Sequence, residues 1–354
     1  MKICVVSYNH PPLLGGIETY SKYLKKYLDF YKKEYKFIKG NYSKIKIFVI
    51  IQVIIKAFFH LLTNNNYKII HLTNLNLWPI LYISKIFKNQ IFIVNLHGLE
   101  LVYGNRKKLL SKIYEFLIPY KFINKHKNIY FLCNSLETKE LAKLKFKDSQ
   151  LFYIPMGIEK IIISNEKDVN VNQFFFIGRI VERKGLAWFC ENVLCQFPAV
   201  KLFFAGPIID KNEFKKIITS SQTKYLGVID EELKNTYIKN SFITVMPNLI
   251  NSNDYDFEGF GISFLEVLAN NGLPIITRTQ GINTSSINGA INVTVNSNST
   301  IDWINKIKEL QNKGLNNRNN LIANSQKLIE ENFLWKYIFK NTFLLYEKLC
   351  KDLK

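Results

Sequence analysis

The sequence predicts an α/β protein of two doubly wound domains followed by a helical segment. Three observations carry this. The chain has 354 residues, 47% of them hydrophobic, and a single core stops growing near ~250–300 residues, so more than one is expected. Short β-branched or aromatic runs alternate with longer helical patterns, the order of parallel strands joined by crossover helices. That alternation stops at a polar stretch, "SNEKDVNVNQ" (residues 164–173), and then starts again.

The first series opens with the strand-like "KICVVS" and a helix from about Ile17. "YKFIKG" reads as an unusually short second strand, so the outer part of this domain is expected to be trimmed. "KIIHL", a helix around Leu81, "IFIVNL", a long helix from Arg106 and "IYFLC" complete it. The second series runs "FFFIG", a helix from about Leu186, "KLFFAG", "KYLGV", a helix from Glu231, "FITVMP", a helix holding Glu266, and "PIIT". From Ile301 onward, apolar positions spaced three and four apart predict helices. The expected divisions are residues 1–165, residues 166–330, and a last helix over 331–354 that packs back towards the first domain. The polar stretch is expected to be the linker, and ligands of such open sheets bind beyond the carboxyl ends of the strands.

Charge is uneven. The net charge is +20, and residues 1–165 carry 26 Lys and Arg against 9 Asp and Glu, whereas residues 166–354 carry 22 against 19. A basic half beside a near-neutral one points to one domain facing an anionic surface. Cys4, Cys133, Cys190, Cys195 and Cys350 have no paired metal spacing, and Met1 leads at once into a strand; a reduced, cytoplasmic protein is expected. The longest apolar run, "IFVIIQVIIKAFFHLL" (residues 47–62), is interrupted by Gln52, Lys56 and His60. It reads as a buried or surface-lying helix rather than a membrane span.

The stretch "EGFGISFLEVLANNGLP" raises the first question about chemistry. Gly272 and Pro274 punctuate its far end, so a helix is expected from about Gly261 to Asn271. Apolar side chains take most of its circumference and leave Ser263, Glu266 and Asn270 on one narrow face. A carboxylate on a mostly buried helix needs hydrogen-bond donors, and the vicinal hydroxyls of a ribose would supply them to Glu266. Glu258 precedes the helix, where Gly259 and Gly261 leave backbone N–H groups open to an anion or a sugar. The plainer reading makes Glu258 a surface acid and Glu266 an ordinary helix residue. In "FFFIGRIVERKG", Arg179 and Lys184 lie between a strand and a helix, where cations and helix N–H groups together suit a diphosphate. Alone, that pair also reads as two solvated cations.

"GGIE" at Gly15, Gly16, Ile17 and Glu18, "LHG" at 96–98, "IPMGIE" at 154–159, "IGRIVERKG" at 177–185 and "EGFGISFLEVLANNGLPII" at 258–276 come in the order seen in GT-B glycosyltransferases of family 4. The chain resembles that family over nearly its whole length, including the seven-residue gap between Glu258 and Glu266. The resemblance implies the GT-B fold, two facing Rossmann-like domains with a cleft between them and a C-terminal helical segment. It also implies a retaining, metal-independent transfer of sugar from a nucleotide-diphosphate donor, with no cofactor.

By the family pattern, Arg179 and Lys184 would grip the diphosphate beside Gly178, and Gly16, next to Gly15, would approach the phosphates from the other domain. Glu258 with Gly259, Phe260, Gly261 and Ile262 would hold donor-sugar hydroxyls, Glu266 would hold the ribose, and His97 would lie beside the reacting carbon. His10 and Glu18 flank the first loop and would face the acceptor; His71 is expected to be mostly structural. The sequence departs from the pattern at Met156, where "IPNG" is common, and at Asn270 and Asn271. Sugar and base are left open, since the base depends on loops such as "KYLGVIDEE" and "MPNLINSNDYD".

The segment "RKKLLSKIYEFLIPYKFINKHKN" (residues 106–128) interleaves lysines with leucines and aromatics and reads as a basic amphipathic helix bent near Pro119. On an anionic leaflet each nearby cation contributes ~1 kcal/mol; packed on a core, the same helix has only a solvated lysine face. The first reading, favoured by the charge of the basic half, implies peripheral placement at the inner face of the cytoplasmic membrane. A lipid-linked or glycan acceptor, in bacterial surface polysaccharide assembly such as lipopolysaccharide or capsule, follows from it. A non-catalytic GT-B module that binds a sugar nucleotide or a partner is the alternative. "NHPPLLGG" lacks the spacing of a dinucleotide turn, which argues against an oxidoreductase. No nucleic-acid motif accompanies the charge, so nucleic acid is not an expected partner.

Overall fold

The computed structural model describes residues 1–10, 15–41, 45–105, 109–162, 169–250, 257, 259–278 and 293–352. The chain forms two compact units, one of Met1–Gly157, Phe257–Phe260 and Trp335–Lys354, the other of Ile158–Asp256 and Gly261–Leu334. The chain thus passes from the first unit to the second ahead of the expected linker.

The first unit is built on strands β1 (Ile3–Ser7), β2 (Tyr35–Lys39), β3 (Ile69–Leu72), β4 (Ile91–Leu96), β5 (Ile129–Cys133) and β6 (Leu151–Tyr153). They form one parallel sheet in the order β2-β1-β3-β4-β5-β6. β1, β3 and β4 are buried along their whole length, which is why their sequences are continuous apolar runs rather than alternations. β2 lies at the sheet edge but, with five residues, is as long as β1 and β5, so it is not the unusually short strand expected.

Helices α1 (Gly16–Phe30), α2 (Lys46–Thr63), α3 (Leu99–Val102), α4 (Leu109–Leu117), α5 (Tyr120–Lys125) and α6 (Leu136–Lys143) flank this sheet. The helix expected around Leu81 is a 3-10 segment, Leu75–Lys85, with Pro79 inside it; a proline there removes a donor that an α-helix would use. The long helix expected from Arg106 is two helices, α4 and α5, parted before Tyr120 by Pro119; residues 106–108 lie outside the described residues. α2, the 3-10 segment and α5 cover one face of the sheet, since Val53, Leu81 and Ile123 share a core with Val6, Leu72, Val94 and Phe131.

The opposite face is covered by α1 and the C-terminal helix Trp335–Asp352. Tyr23 stacks on Trp335 at 5.3 Å between ring centroids and Tyr27 on Phe339 at 5.5 Å. The Tyr346 hydroxyl donates to His71 Nδ1 at 2.5 Å, so the last helix is tied to β3.

The second unit contains β7 (Asn170–Ile177), β8 (Lys201–Ala205), β9 (Thr223–Tyr225), β10 (Ser241–Met246), β11 (Pro274–Thr277) and β12 (Thr294–Val295). Their order, all parallel, is β12-β11-β10-β7-β8-β9. The last four residues of the expected linker are therefore strand: Asn170, Val171 and Asn172 are the exposed leading end of β7, followed by Gln173. Around the sheet lie α7 (Leu186–Asn192), α8 (Lys211–Ile218), α9 (Glu231–Asn240) and α10 (Ile262–Ala269).

A long helix, Thr300–Asn332, is kinked at Gly314, whose φ of 70° and ψ of −173° are non-helical. Its second half is fixed by the buried Arg318, which donates to the carbonyls of Phe242, Ser241 and Asn271 at 2.8, 3.1 and 3.0 Å.

Candidate functional site

In each sheet the first strand is an inner strand and the chain winds outward to both sides of it, which opens a crevice beyond the carboxyl ends where the winding reverses. In the first sheet that point lies between β1 and β3, in the second between β7 and β10. Of the residues predicted for the site, His10 follows β1 and Arg179 and Lys184 follow β7, at these points, while His97 follows β4 and Glu266 lies in the helix after β10.

In the first unit, α1 starts at Gly16 with Gly15 as its N-cap, which leaves backbone N–H groups facing outward at a helix N-terminus. Glu18 turns back over this end. It accepts from Asn9 Nδ2 at 2.5 Å, and its Oε2 stands 2.5 Å from where a Cβ on Gly15 would be. An anion reaching Gly15 and Gly16 would meet that carboxylate. His10, just after β1, has Nε2 3.1 Å from the Gly40 carbonyl.

His97 follows β4 and is buried. Its backbone N–H donates to Glu100 Oε1 at 2.6 Å and its Nε2–H to the Thr73 carbonyl at 2.9 Å. His71 is fixed on both sides, accepting from Tyr346 at Nδ1 and donating from Nε2 to Asn95 Oδ1 at 2.7 Å. Loss of hydration lowers its pKa to about 4. It braces β3, β4 and the C-terminal helix, the structural part expected of it.

The segment Phe257–Phe260 belongs to this same unit. A Cβ on Gly259 would lie 1.8 Å from the His97 carbonyl oxygen and 3.0 Å from Asn134 Nδ2, so only glycine permits the loop to seat there. The structure brings Gly259 to His97, and Phe260 beside it is buried. Glu258 lies outside the described residues.

In the second unit, Gly178 and the exposed Arg179 follow β7, and Glu182–Lys184 form a 3-10 turn that leads into α7. Gly185 has φ +68°, and a Cβ there would stand 1.9 Å from the Pro247 carbonyl oxygen. Leu249 donates its backbone N–H to the Arg183 carbonyl at 3.0 Å. The turn that carries Arg183 and Lys184 is thereby fastened to the end of β10, the neighbouring strand at the reversal point.

α10 starts after Gly261 with Ile262, near the expected position. Phe264, Leu265, Val267, Leu268 and Ala269 are buried, while Ser263, Glu266 and Asn270 keep some exposure. The Glu266 side chain is 35% exposed, and its Oε2 lies 3.6 Å from Lys234 Nζ. Loss of hydration raises its pKa, and the Lys234 ammonium opposes the rise.

Lys234, Thr73 and Asn134 were not anticipated. Nothing in the local sequence pairs α9 with α10 or the end of β3 with His97; only the tertiary packing does. Among the described residues no group of three His, Cys, Asp or Glu could hold a metal ion.

Two parallel six-stranded sheets with flanking helices and a C-terminal helical segment make this a GT-B fold. Sucrose-phosphate synthase from Thermosynechococcus elongatus has the same fold with a TM-score of 0.78 and 15% identity, over 98% of each chain. A glycosyltransferase from Rickettsia africae reaches 0.74 with 18% identity, over 99% of this chain and 98% of that one. Anabaena HepE, solved in complex with UDP and glucose, reaches 0.69 with 12% identity, over 98% and 99%. Within this fold, residues 157–328, which make up most of the second unit, match the family model of glycosyl transferases group 1. No curated protein matches the chain in sequence.

Proposed function

We propose that the chain is a retaining, metal-independent glycosyltransferase. It moves a sugar from a nucleotide-diphosphate donor to a lipid-linked or glycan acceptor, at the inner face of the cytoplasmic membrane, in bacterial surface polysaccharide assembly. The observation that carries this is the second unit's reversal point, where loops beyond the carboxyl ends of β7 and β10 hold Arg179, Lys184 and the helix of Glu266 within a group 1 domain. HepE, with UDP and glucose bound, supports a nucleotide-sugar co-substrate.

In this proposal Arg179 and Lys184 take the diphosphate. As the bond from the anomeric carbon to the phosphate oxygen breaks, charge grows on the leaving group and fixed cations stabilise it, the part a metal plays in other transferases. The acceptor oxygen forms the new bond on the face just vacated, and its proton passes to the departing phosphate oxygen. Glu266 accepts the ribose hydroxyls, Gly178 leaves room for the phosphates, and Glu258 with Gly259, Phe260, Gly261 and Ile262 holds the sugar. His97 stands beside the reacting carbon, Gly15 and Gly16 offer backbone donors, and His10 and Glu18 face the acceptor. The basic first unit brings the chain to an anionic surface, with residues 106–128 contributing.

Thermal-shift screening against UDP, GDP, dTDP and ADP sugars, followed by an assay for slow release of nucleotide diphosphate, tests this. The expected result is strong stabilisation by one donor class and release that Lys184→Ala abolishes. Tight binding with no turnover on any acceptor would instead make the chain a sugar-nucleotide-binding module.

A further inference from the structure

A surface helix normally turns polar residues outward. α2 does not. Its inward stripe is Val49, Val53, Ala57 and Leu61, spaced four apart and packed on the first sheet. Outward stand Ile47, Phe48, Ile51, Ile55, Phe59 and Leu62, with Phe48 60% and Phe59 67% exposed. The helix has 18 residues, about 27 Å at 1.5 Å per residue, and is long and apolar enough to cross a membrane. Its inward stripe packs on the 3-10 segment, β1 and β2, however, so crossing would tear the core of the first unit open.

The charges around this face decide what covers it. Over residues 46–63 the only ionic side chains are Lys46 and Lys56. The 3-10 segment beside it ends in Lys85, flanked by the exposed Tyr82 and Ile86. Tyr82 touches Phe122 of α5 at 4.8 Å, and Lys85 lies over the same ring at 5.4 Å. α4 adds Lys112 beside the exposed Leu110 and Phe116. Across α2, the 3-10 segment, α4 and α5 the single acid is Glu115, and it is paired with Lys145.

An apolar face with lysines among it and no unpaired acid fits an anionic lipid leaflet, whose acyl boundary takes the apolar side chains and whose phosphates take the ammonium groups. We propose that the outward face of α2 lies in the plane of an anionic leaflet with its aromatic and branched side chains in the acyl boundary. Insertion of this face, beyond the charge of residues 106–128, then holds the chain on the membrane. This rests on the membrane placement proposed above and not on the transfer chemistry.

The test is flotation of the full chain with vesicles of phosphatidylglycerol and phosphatidylcholine at low salt and at about 1 M NaCl, where charge attraction is screened within ~3 Å. Wild type is expected to stay bound at high salt. The variant Phe48→Glu/Ile55→Glu/Phe59→Glu is expected to float about tenfold less while keeping its melting temperature, and Phe59→Gln alone to show an intermediate loss. Binding that salt removes entirely, or that survives the triple substitution, overturns the proposal. So does a solution dimer that the triple substitution splits into monomers, because a second copy would then cover the face. Donor-induced thermal shift is read on the same samples: its absence with salt-resistant flotation counts against the glycosyltransferase reading and supports insertion.

Discussion

Lys234 Nζ lies 3.6 Å from Glu266 Oε2 and 2.8 Å from Glu231 Oε2. The lysine is buried, Glu231 is exposed, and Glu266 is the carboxylate proposed to meet a ribose. One ammonium therefore supports the charged form of a carboxylate that loss of hydration would otherwise push towards its neutral form. In the proposed site, Lys234 would act as a positioning residue for Glu266.

Lys234→Met keeps much of the buried stem and deletes the charge. Glu266, already raised above the ordinary carboxylate range, is expected to rise further. Donor binding that needs its carboxylate then fails at a higher pH on the acid side, and affinity there falls about tenfold for every pH unit by which the carboxyl rises. Donor affinity measured across the acid range checks this, with partial recovery expected for Lys234→Arg. An acid limb that does not move counts against the pairing.

His71 gives a stability prediction. Its folded pKa, about 4, lies below the ordinary 6.5, so as pH falls the unfolded chain takes up the proton first. Its contribution is fully present above the ordinary value and is lost as pH drops towards 4, by about 3 kcal/mol for a difference of this size. Urea unfolding of wild type and His71→Gln at neutral and mildly acidic pH is expected to show the steeper acid loss in wild type. Parallel curves would contradict it.

Gly259→Ala forces a methyl into the His97 carbonyl oxygen and must displace the loop. Turnover is expected to fall by about 100-fold or more, the scale on which a 1 Å misplacement is felt, with a lowered melting temperature. Gly185→Ala, where φ is +68° and the Pro247 carbonyl blocks a Cβ, is expected to weaken nucleotide binding and to cost about 1–3 kcal/mol of stability. Full donor affinity in Gly185→Ala would show that the Glu182–Lys184 turn does not hold the nucleotide.

Arg318→Met leaves the carbonyls of Phe242, Ser241 and Asn271 without the guanidinium that spans them. A loss of about 3–5 kcal/mol is expected in chemical unfolding. Arg318→Lys recovers little of it, because one ammonium cannot reproduce a planar fork.

Much of the fold was legible in the sequence because buried parallel strands are written as unbroken apolar runs, as in "IFIVNL" and "FITVMP". The helix of Glu266 was legible from its narrow polar face and the Gly272 and Pro274 that close it. Asn170, Val171 and Asn172 misled because an exposed strand end has linker composition. Pro79 broke a helical pattern that periodicity alone would continue, whereas the break at Pro119 was anticipated as a bend. The outward face of α2 was only half legible: its apolarity was plain, but which side packs against the sheet depends on the neighbouring strands. Lys234 at Glu266, Gly259 at His97 and Tyr346 at His71 join residues far apart in the chain, and no local signal encodes such meetings.

The most direct measurement of the central claim is calorimetric titration of wild type and Lys184→Ala with the nucleotide sugar found by screening and with its free nucleotide diphosphate. If Lys184 and Arg179 hold the diphosphate, both ligands lose affinity by about 10- to 100-fold in the variant, as expected for a charge-assisted contact, and nucleotide release stops. Undiminished binding of both ligands by Lys184→Ala would contradict it.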